Sequence, residues 1–196
     1  MKGYLKIRKE ALYVLRSQLP DEVFYHGVQH TLDVLAVCNK YIKRERISPY
    51  EAKLLRLAVL LHDIGFTVSN VDHENQSMKI AEALMSKHGF PKKDIDAVKG
   101  LILATRLPQN PQNHLEKILC DADLDYLGRD DYYAKSRSLL KELNAQSNRI
   151  PRKEWNEAQI AFLTEHEYHT DFARKYRQPK KEKRIQELKA LDRSKN

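Results

Sequence analysis

The sequence predicts an all-helical fold. Three observations carry that expectation. Apolar residues recur at helical spacing along most of the 196 residues, glycine is scarce at six, and no alternating apolar–polar segment is long enough for a strand. The chain is 41% apolar and 32% charged, which suits a helical domain in water, and its length allows one sizeable core. No apolar run approaches the roughly 18 residues of a membrane-spanning helix. The opening MKGYLKIRKEALYVLRSQL sets charges among its apolar positions, so it lacks the unbroken apolar region of a secretory signal.

The elements follow in order. Tyr4 to Leu19 has apolar residues at 4, 5, 7, 11, 12, 14, 15 and 19, and Pro20 closes it. A second helix runs from Gly27 to about Arg46 through Val28, Leu32, Val34, Leu35, Val37 and Ile42. Ser48-Pro49-Tyr50-Glu51 then supplies an N-cap serine, a proline at the first helical position and a glutamate completing a capping box. The segment it launches, AKLLRLAVLLHDIG, is apolar on nearly every side and reads as a central buried helix ending at Gly65. After the loop FTVSNV, Asp72 is placed to cap a helix from His73 to Lys87, which His88-Gly89 ends. Pro91 opens KKDIDAVKGLILATR and Pro108 stops it, with LPQNPQN as the following loop. Asn113 and Glu116 repeat the cap logic before LEKILCDADLDYLG. Asp130 to about Asn144 is helical, a polar loop reaches Pro151, and one long helix covers Arg152 to about Arg177. Pro179 sets off a basic tail helix, giving a main domain over 1–178 and a tail over 179–196.

The net charge of +8 is unevenly placed. Phe172 to Asn196 holds ten Lys or Arg against three Asp or Glu, a net of +7, which leaves +1 for everything before it. The tail reads as a solvated helix, or as a surface for nucleic acid, a membrane or another anionic partner. Cys38 and Cys120 each sit in an apolar helical pattern and read as buried small hydrophobes of a protein in a reduced cytoplasm.

Three helices carry polar residues where apolar ones are due. His62-Asp63 adjoins the most apolar segment, and a buried Asp costs several kcal/mol unless paired or bound to a cation. His30 lies among Val28, Leu32 and Val34, where a lone histidine is ordinarily a satisfied core residue. Asp121-Ala122-Asp123-Leu124-Asp125 sets three poor helix formers among apolar residues, and at least one of them must face a cation or a strong donor. A divalent metal is the explanation all three share, because imidazole nitrogen and carboxylate oxygen are ordinary ligands for first-row ions.

His30, then His62-Asp63, then Asp123 resembles the H…HD…D signature of HD-domain metal-dependent phosphohydrolases, over about residues 8 to 175. FYHGVQHTLDVL, LAVLLHDIG and CDADLDYLGRDDYY carry the likeness. It implies an all-helical HD bundle whose metal is held by His30, His62, Asp63 and Asp123, with Asp121 as the alternative to Asp123. The ion would be Mn, Fe, Mg, Co or Ni. YHGVQHTLDV is also similar to the segment of cyclic-nucleotide phosphodiesterases whose first histidine is a general acid, which implies His26 as proton donor. Gly27 stands where those enzymes commonly have asparagine, and this chain is much shorter than their catalytic domain.

In binuclear members a further histidine follows the doublet, a place that His73 takes here, where it could orient a metal-bound water or bind a second ion. Their next element often has a His-His pair. GLILATRLPQN has none, so the resemblance implies a mononuclear centre. Arg106, before Pro108, is a candidate phosphate contact. ILATRLPQNPQN, LEKILCDADLDYLG and FLTEHEYHTDFA also resemble small bacterial HD hydrolases and the HD portions associated with Pycsar-type effectors. In residue terms EHEYHT, with His166, Tyr168 and His169, reads as an ordinary polar helix face. The implied activity is hydrolysis of a phosphate ester of a nucleotide or related small molecule, with Asp63, His26 and His73 in catalysis. A diiron oxygenase and a non-catalytic nucleotide-sensing module are the alternatives.

Overall fold

The computed structural model describes residues 2–147 and 149–193. Among them are ten α-helices and no strand: α1 (Lys2–Gln18), α2 (Val28–Arg44), α3 (Pro49–Leu61), α4 (His73–Lys87), α5 (Lys92–Ala104), α6 (His114–Asp123), α7 (Tyr132–Gln146), α8 (Arg152–Glu165), α9 (Asp171–Tyr176) and α10 (Gln178–Arg193). None is long and apolar enough to cross a membrane. The chain forms two compact units, Met1–Asp123 and Leu124–Asn196.

In the first unit α3 is central and packs against α1, α2, α4, α5 and α6. Its start is fixed as the capping box requires: the Ser48 side chain accepts from the Glu51 backbone N–H, and the Glu51 carboxylate accepts from that of Ser48. Every side chain from Leu57 to Phe66 is buried. Each leucine of that run contributes about 1.5–3 kcal/mol of hydrophobic free energy. The helix stops at Leu61, short of the expected Gly65, because His62 and Asp63 turn the chain into a 3-10 turn over Ile64–Thr67. On α2 the buried stripe His30, Val34, Cys38 and Tyr41 follows helical spacing, so the apolar face itself carries the histidine. Cys38 and Cys120 are free and buried, as small hydrophobes. Burial pushes the Cys38 thiol up to about 12.

Gly65 permits a close approach. A Cβ there would stand 2.0 Å from the His73 carbonyl oxygen, and the Gly65 N–H donates to Ser77 Oγ at 2.8 Å. The turn after the His-Asp doublet is thereby seated on the first turns of α4. Asp72 occupies the N-cap position of α4 but makes no side-chain cap, contrary to the sequence expectation. It adopts a left-handed conformation (φ 56°), which Asp tolerates better than most residues, and its carboxylate binds the Asn75 amide and Arg106 instead.

In the second unit α10 packs against α8, α9 and the 3-10 turn Asp125–Gly128. The long helix expected over Arg152–Arg177 is two helices. The chain leaves α8 at His166 with extended backbone, and the Thr170 hydroxyl accepts from the Ala173 N–H to start α9. EHEYHT is therefore no polar helix face. Tyr168 is buried and donates to the Leu124 carbonyl at 3.3 Å. Pro179 lies in the first turn of α10, whose Leu188 and Lys181 are buried, and Lys180 and Arg184 pair with Asp130 and Glu187.

Gly65→Ala should destabilise the protein by about 3 kcal/mol, lowering the thermal midpoint by roughly 6–12 °C. Gly100→Ala serves as the control, since a Cβ there meets only a side-chain oxygen at 3.7 Å. Within a helix it should raise stability by up to about 1 kcal/mol. Equal midpoints for both variants in thermal denaturation would contradict the close approach.

Candidate metal centre

Four groups from three helix ends meet inside the first unit. His30 Nε2 lies 3.0 Å from Asp123 Oδ1, 3.3 Å from Asp63 Oδ2 and 3.4 Å from His62 Nε2. His62 Nε2 lies 3.2 Å from Asp63 Oδ2 and 3.4 Å from Asp123 Oδ1. One ligand atom each from His30, His62 and Asp123 lies within 4.8 Å of the others. The histidines and Asp63 are buried, while the Asp123 side chain keeps 15% exposure.

The hydrogen bonds say what this cluster lacks. His62 Nδ1 lies 2.9 Å from the Val59 carbonyl oxygen, which can only accept, so Nδ1 carries the proton. In the neutral ring Nε2 is then a lone pair facing the two carboxylates. Asp63 Oδ2 is buried and makes no directed hydrogen bond, despite the two imidazole nitrogens beside it. Two carboxylates and an imidazole lone pair, with one carboxylate oxygen left without a hydrogen bond, call for a cation.

Without a metal, protons serve as that cation. Burial by itself would lower the His62 pKa, but the charge of Asp63 and contact with Asp123 hold it well above the ordinary imidazole value. His30 is likewise raised, its burial outweighed by the hydrogen bond to Asp123 and the nearby charge of Asp63. Burial would raise both carboxyls, yet the facing imidazoles hold Asp63 and Asp123 below the usual range. A divalent ion replaces two protons charge for charge: two carboxylates and two neutral imidazoles balance it. The donor set fits the group.

The surroundings form a second tier. His73 Nε2 lies 3.6 Å from Asp63 Oδ1 and 3.6 Å from Glu74 Oε1. Burial lowers its pKa despite these carboxylates. The His26 ring stacks on Phe66 at 4.2 Å and 10°, the His73 ring also lies 4.2 Å from Phe66, and the two imidazoles are themselves 6.1 Å apart. Arg106 pairs with Asp72 and sets its Nε 3.6 Å from Glu74 Oε2, so its guanidinium reaches the site already engaged by two carboxylates.

Each residue proposed from the sequence is thus in or beside one site, and Asp123 rather than Asp121 meets the histidines. Sequence reasoning missed Phe66. The only signal was an aromatic residue just after the doublet, and nothing in its spacing marks it as a ring packed against two imidazoles.

The sequence profile of the HD domain family matches residues 27–125, which spans all four converging groups. The chain belongs to the HD domain family. A solved structure with the same fold is a predicted HD superfamily hydrolase from an uncultured Thermotogales bacterium. It is 22% identical, with a TM-score of 0.61 over 96% of this chain and 92% of that one. No curated protein matches the chain.

This HD centre predicts a pH signature. Raised imidazole pKa values contribute stability that is complete below about pH 6.5, the unfolded value, and lost as pH rises through the folded values. The lowered carboxyls contribute above about pH 4 and lose it as pH falls. Chelator-treated protein should therefore lose thermal stability as pH is raised above about 6.5, and a divalent ion should remove that loss. A metal-free midpoint that stays flat or rises there would contradict the charge assignment.

Proposed function

We propose that this HD protein is a metal-dependent phosphohydrolase that cleaves a phosphate ester of a nucleotide or related small molecule. The observation carrying the reading is the convergence of two imidazole nitrogens and two carboxylates on one buried point, with histidines and an arginine around it. Membership of the HD family and the likeness to a predicted HD superfamily hydrolase support the hydrolase class.

His30, His62, Asp63 and Asp123 would hold a single divalent ion, of Mn, Fe, Mg, Co or Ni. Such an ion supplies Lewis acidity toward a phosphoryl oxygen and a bound water acidified toward neutrality. The chain's own groups do the rest. His62 is held in one tautomer by Val59, so its ligand nitrogen needs no rearrangement. His73, whose pKa burial lowers, lies 3.6 Å from Asp63 Oδ1, and its role would be to accept a proton or orient a water. His26, held flat on Phe66, is the donor to the leaving oxygen. Arg106 offers the guanidinium of a phosphate contact, its charge moderated by Asp72 and Glu74.

With Mn²⁺ supplied, the protein should hydrolyse members of a panel of nucleotides, cyclic nucleotides and aryl phosphates. Asp63→Ala should abolish turnover while retaining helical content. No turnover across that panel, together with tight nucleotide binding, would support a sensing module instead. His26→Ala should cost about 10²–10⁴-fold for esters with poor leaving groups and much less for activated aryl phosphates. Equal losses on both would remove the proton-donor role.

A further inference from the structure

The second unit holds a cavity of about 660 Å³ walled by α7, α8, α10 and residues 149–151. Small-molecule sites run from roughly 300 to 1,000 Å³. Its lining contains Arg137, Arg149 and Arg152 and, among the described residues, no Asp or Glu. None of the three guanidinium groups has a hydrogen bond or ion pair among those residues. They differ in this from Lys180 and Arg184 of α10, which are paired with Asp130 and Glu187. All three are exposed and solvated, and together they give this concave surface a positive field that favours an anion.

The wall beneath the arginines is aromatic and apolar. Trp155 is half-buried there. The Tyr133 hydroxyl is committed to Glu187 at 2.7 Å, which leaves its ring as wall, and Leu188 closes the apolar side. One polar group is set into this wall. Gln159 is 8% exposed, and its Oε1 accepts from the Tyr132 hydroxyl at 2.9 Å and from Ser136 Oγ. Burial raises the Tyr132 pKa, so the phenol keeps its proton to donate. The Gln159 amide nitrogen has no hydrogen-bond partner among the described residues and keeps accessible surface, so it is a donor open to the cavity, held in place by the two bonds to Oε1.

Guanidinium groups suit phosphate or carboxylate oxygens, an indole face suits a flat ring, and a fixed amide donor suits a ring nitrogen or carbonyl. We propose that this cavity is a second ligand-binding site, for an organic anion with a flat aromatic body. A nucleoside phosphate and an aromatic carboxylate share that chemistry. None of the residues belongs to the HD centre, so the site stands whether or not the hydrolytic reading does.

Trp155 is the chain's one tryptophan, so its fluorescence reports on this cavity directly. AMP and benzoate are titrated into full-length wild type and into Asp63→Ala, with adenosine, inorganic phosphate and decanoate as comparisons. We expect AMP, benzoate or both to change the emission saturably and equally in the two proteins. AMP binding identifies phosphate as the anionic group, and benzoate binding carboxylate. Apparent Kd should rise about tenfold or more in Arg149→Ala/Arg152→Ala, surface changes that leave the thermal midpoint in place. Gln159→Leu should weaken binding without removing it. No saturable change with either aromatic anion would overturn the proposal. So would phosphate or decanoate binding as tightly as the aromatic anions, or affinities unmoved by the arginine changes. Lost hydrolysis in Asp63→Ala with an unchanged fluorescence response separates this site from the HD centre.

Discussion

The bond from His62 Nδ1 to the Val59 carbonyl is the constraint on which the centre depends. It uses an acceptor that the end of α3 leaves free and fixes which imidazole nitrogen is basic. That nitrogen then meets His30, Asp63 and Asp123 at 3.2–3.4 Å, where two negative groups sit in a space that water scarcely reaches. Buried carboxylates without a counter-charge are too costly to keep, so the fold is committed to a cation there, whether proton or metal. Everything else in the first unit brings those four groups to one point.

The delivery is economical. The last turn of helix α3 is buried on all sides to seat the doublet at its end, and the apolar run Leu57–Leu61 supplies that burial. The 3-10 turn at Ile64–Thr67 then needs Gly65, because α4 comes within contact of its backbone and thereby sets His73 beside Asp63. The DADLD segment divides its labour. Asp123, ending α6, faces the histidines, while Asp125 takes the Arg177 guanidinium at 2.7 Å within the second unit. One aspartate thus serves the centre and another a structural ion pair two residues later, which accounts for two of the three acidic residues in so apolar a stretch.

The helical class and most helix starts were legible because their causes are local. Ser48 and Glu51 form their box, Asn113 accepts from the Glu116 N–H, and the α2 stripe keeps its period. The converging residues were legible because each is expensive alone and reasonable together. What the sequence hid depends on partners far along the chain. Asp72 abandons its cap for Arg106, 34 residues away. The break at His166–Thr170 has a cap, Thr170, but no proline or glycine to announce it, and Tyr168 there is buried by tertiary packing. The packing of Phe66 against both His26 and His73 is likewise a fact of folding, not of spacing.

In the proposed centre, His62, held by Val59, would anchor a single divalent ion together with His30, Asp63 and Asp123. Elemental analysis of bound metal after Mn²⁺ loading and desalting tests it most directly, on wild type, His62→Ala and His73→Ala. The account predicts one ion per chain in wild type, loss of that ion in His62→Ala with helical content retained, and retention in His73→Ala. Full occupancy in His62→Ala, or a wild type that binds no divalent ion, would contradict it.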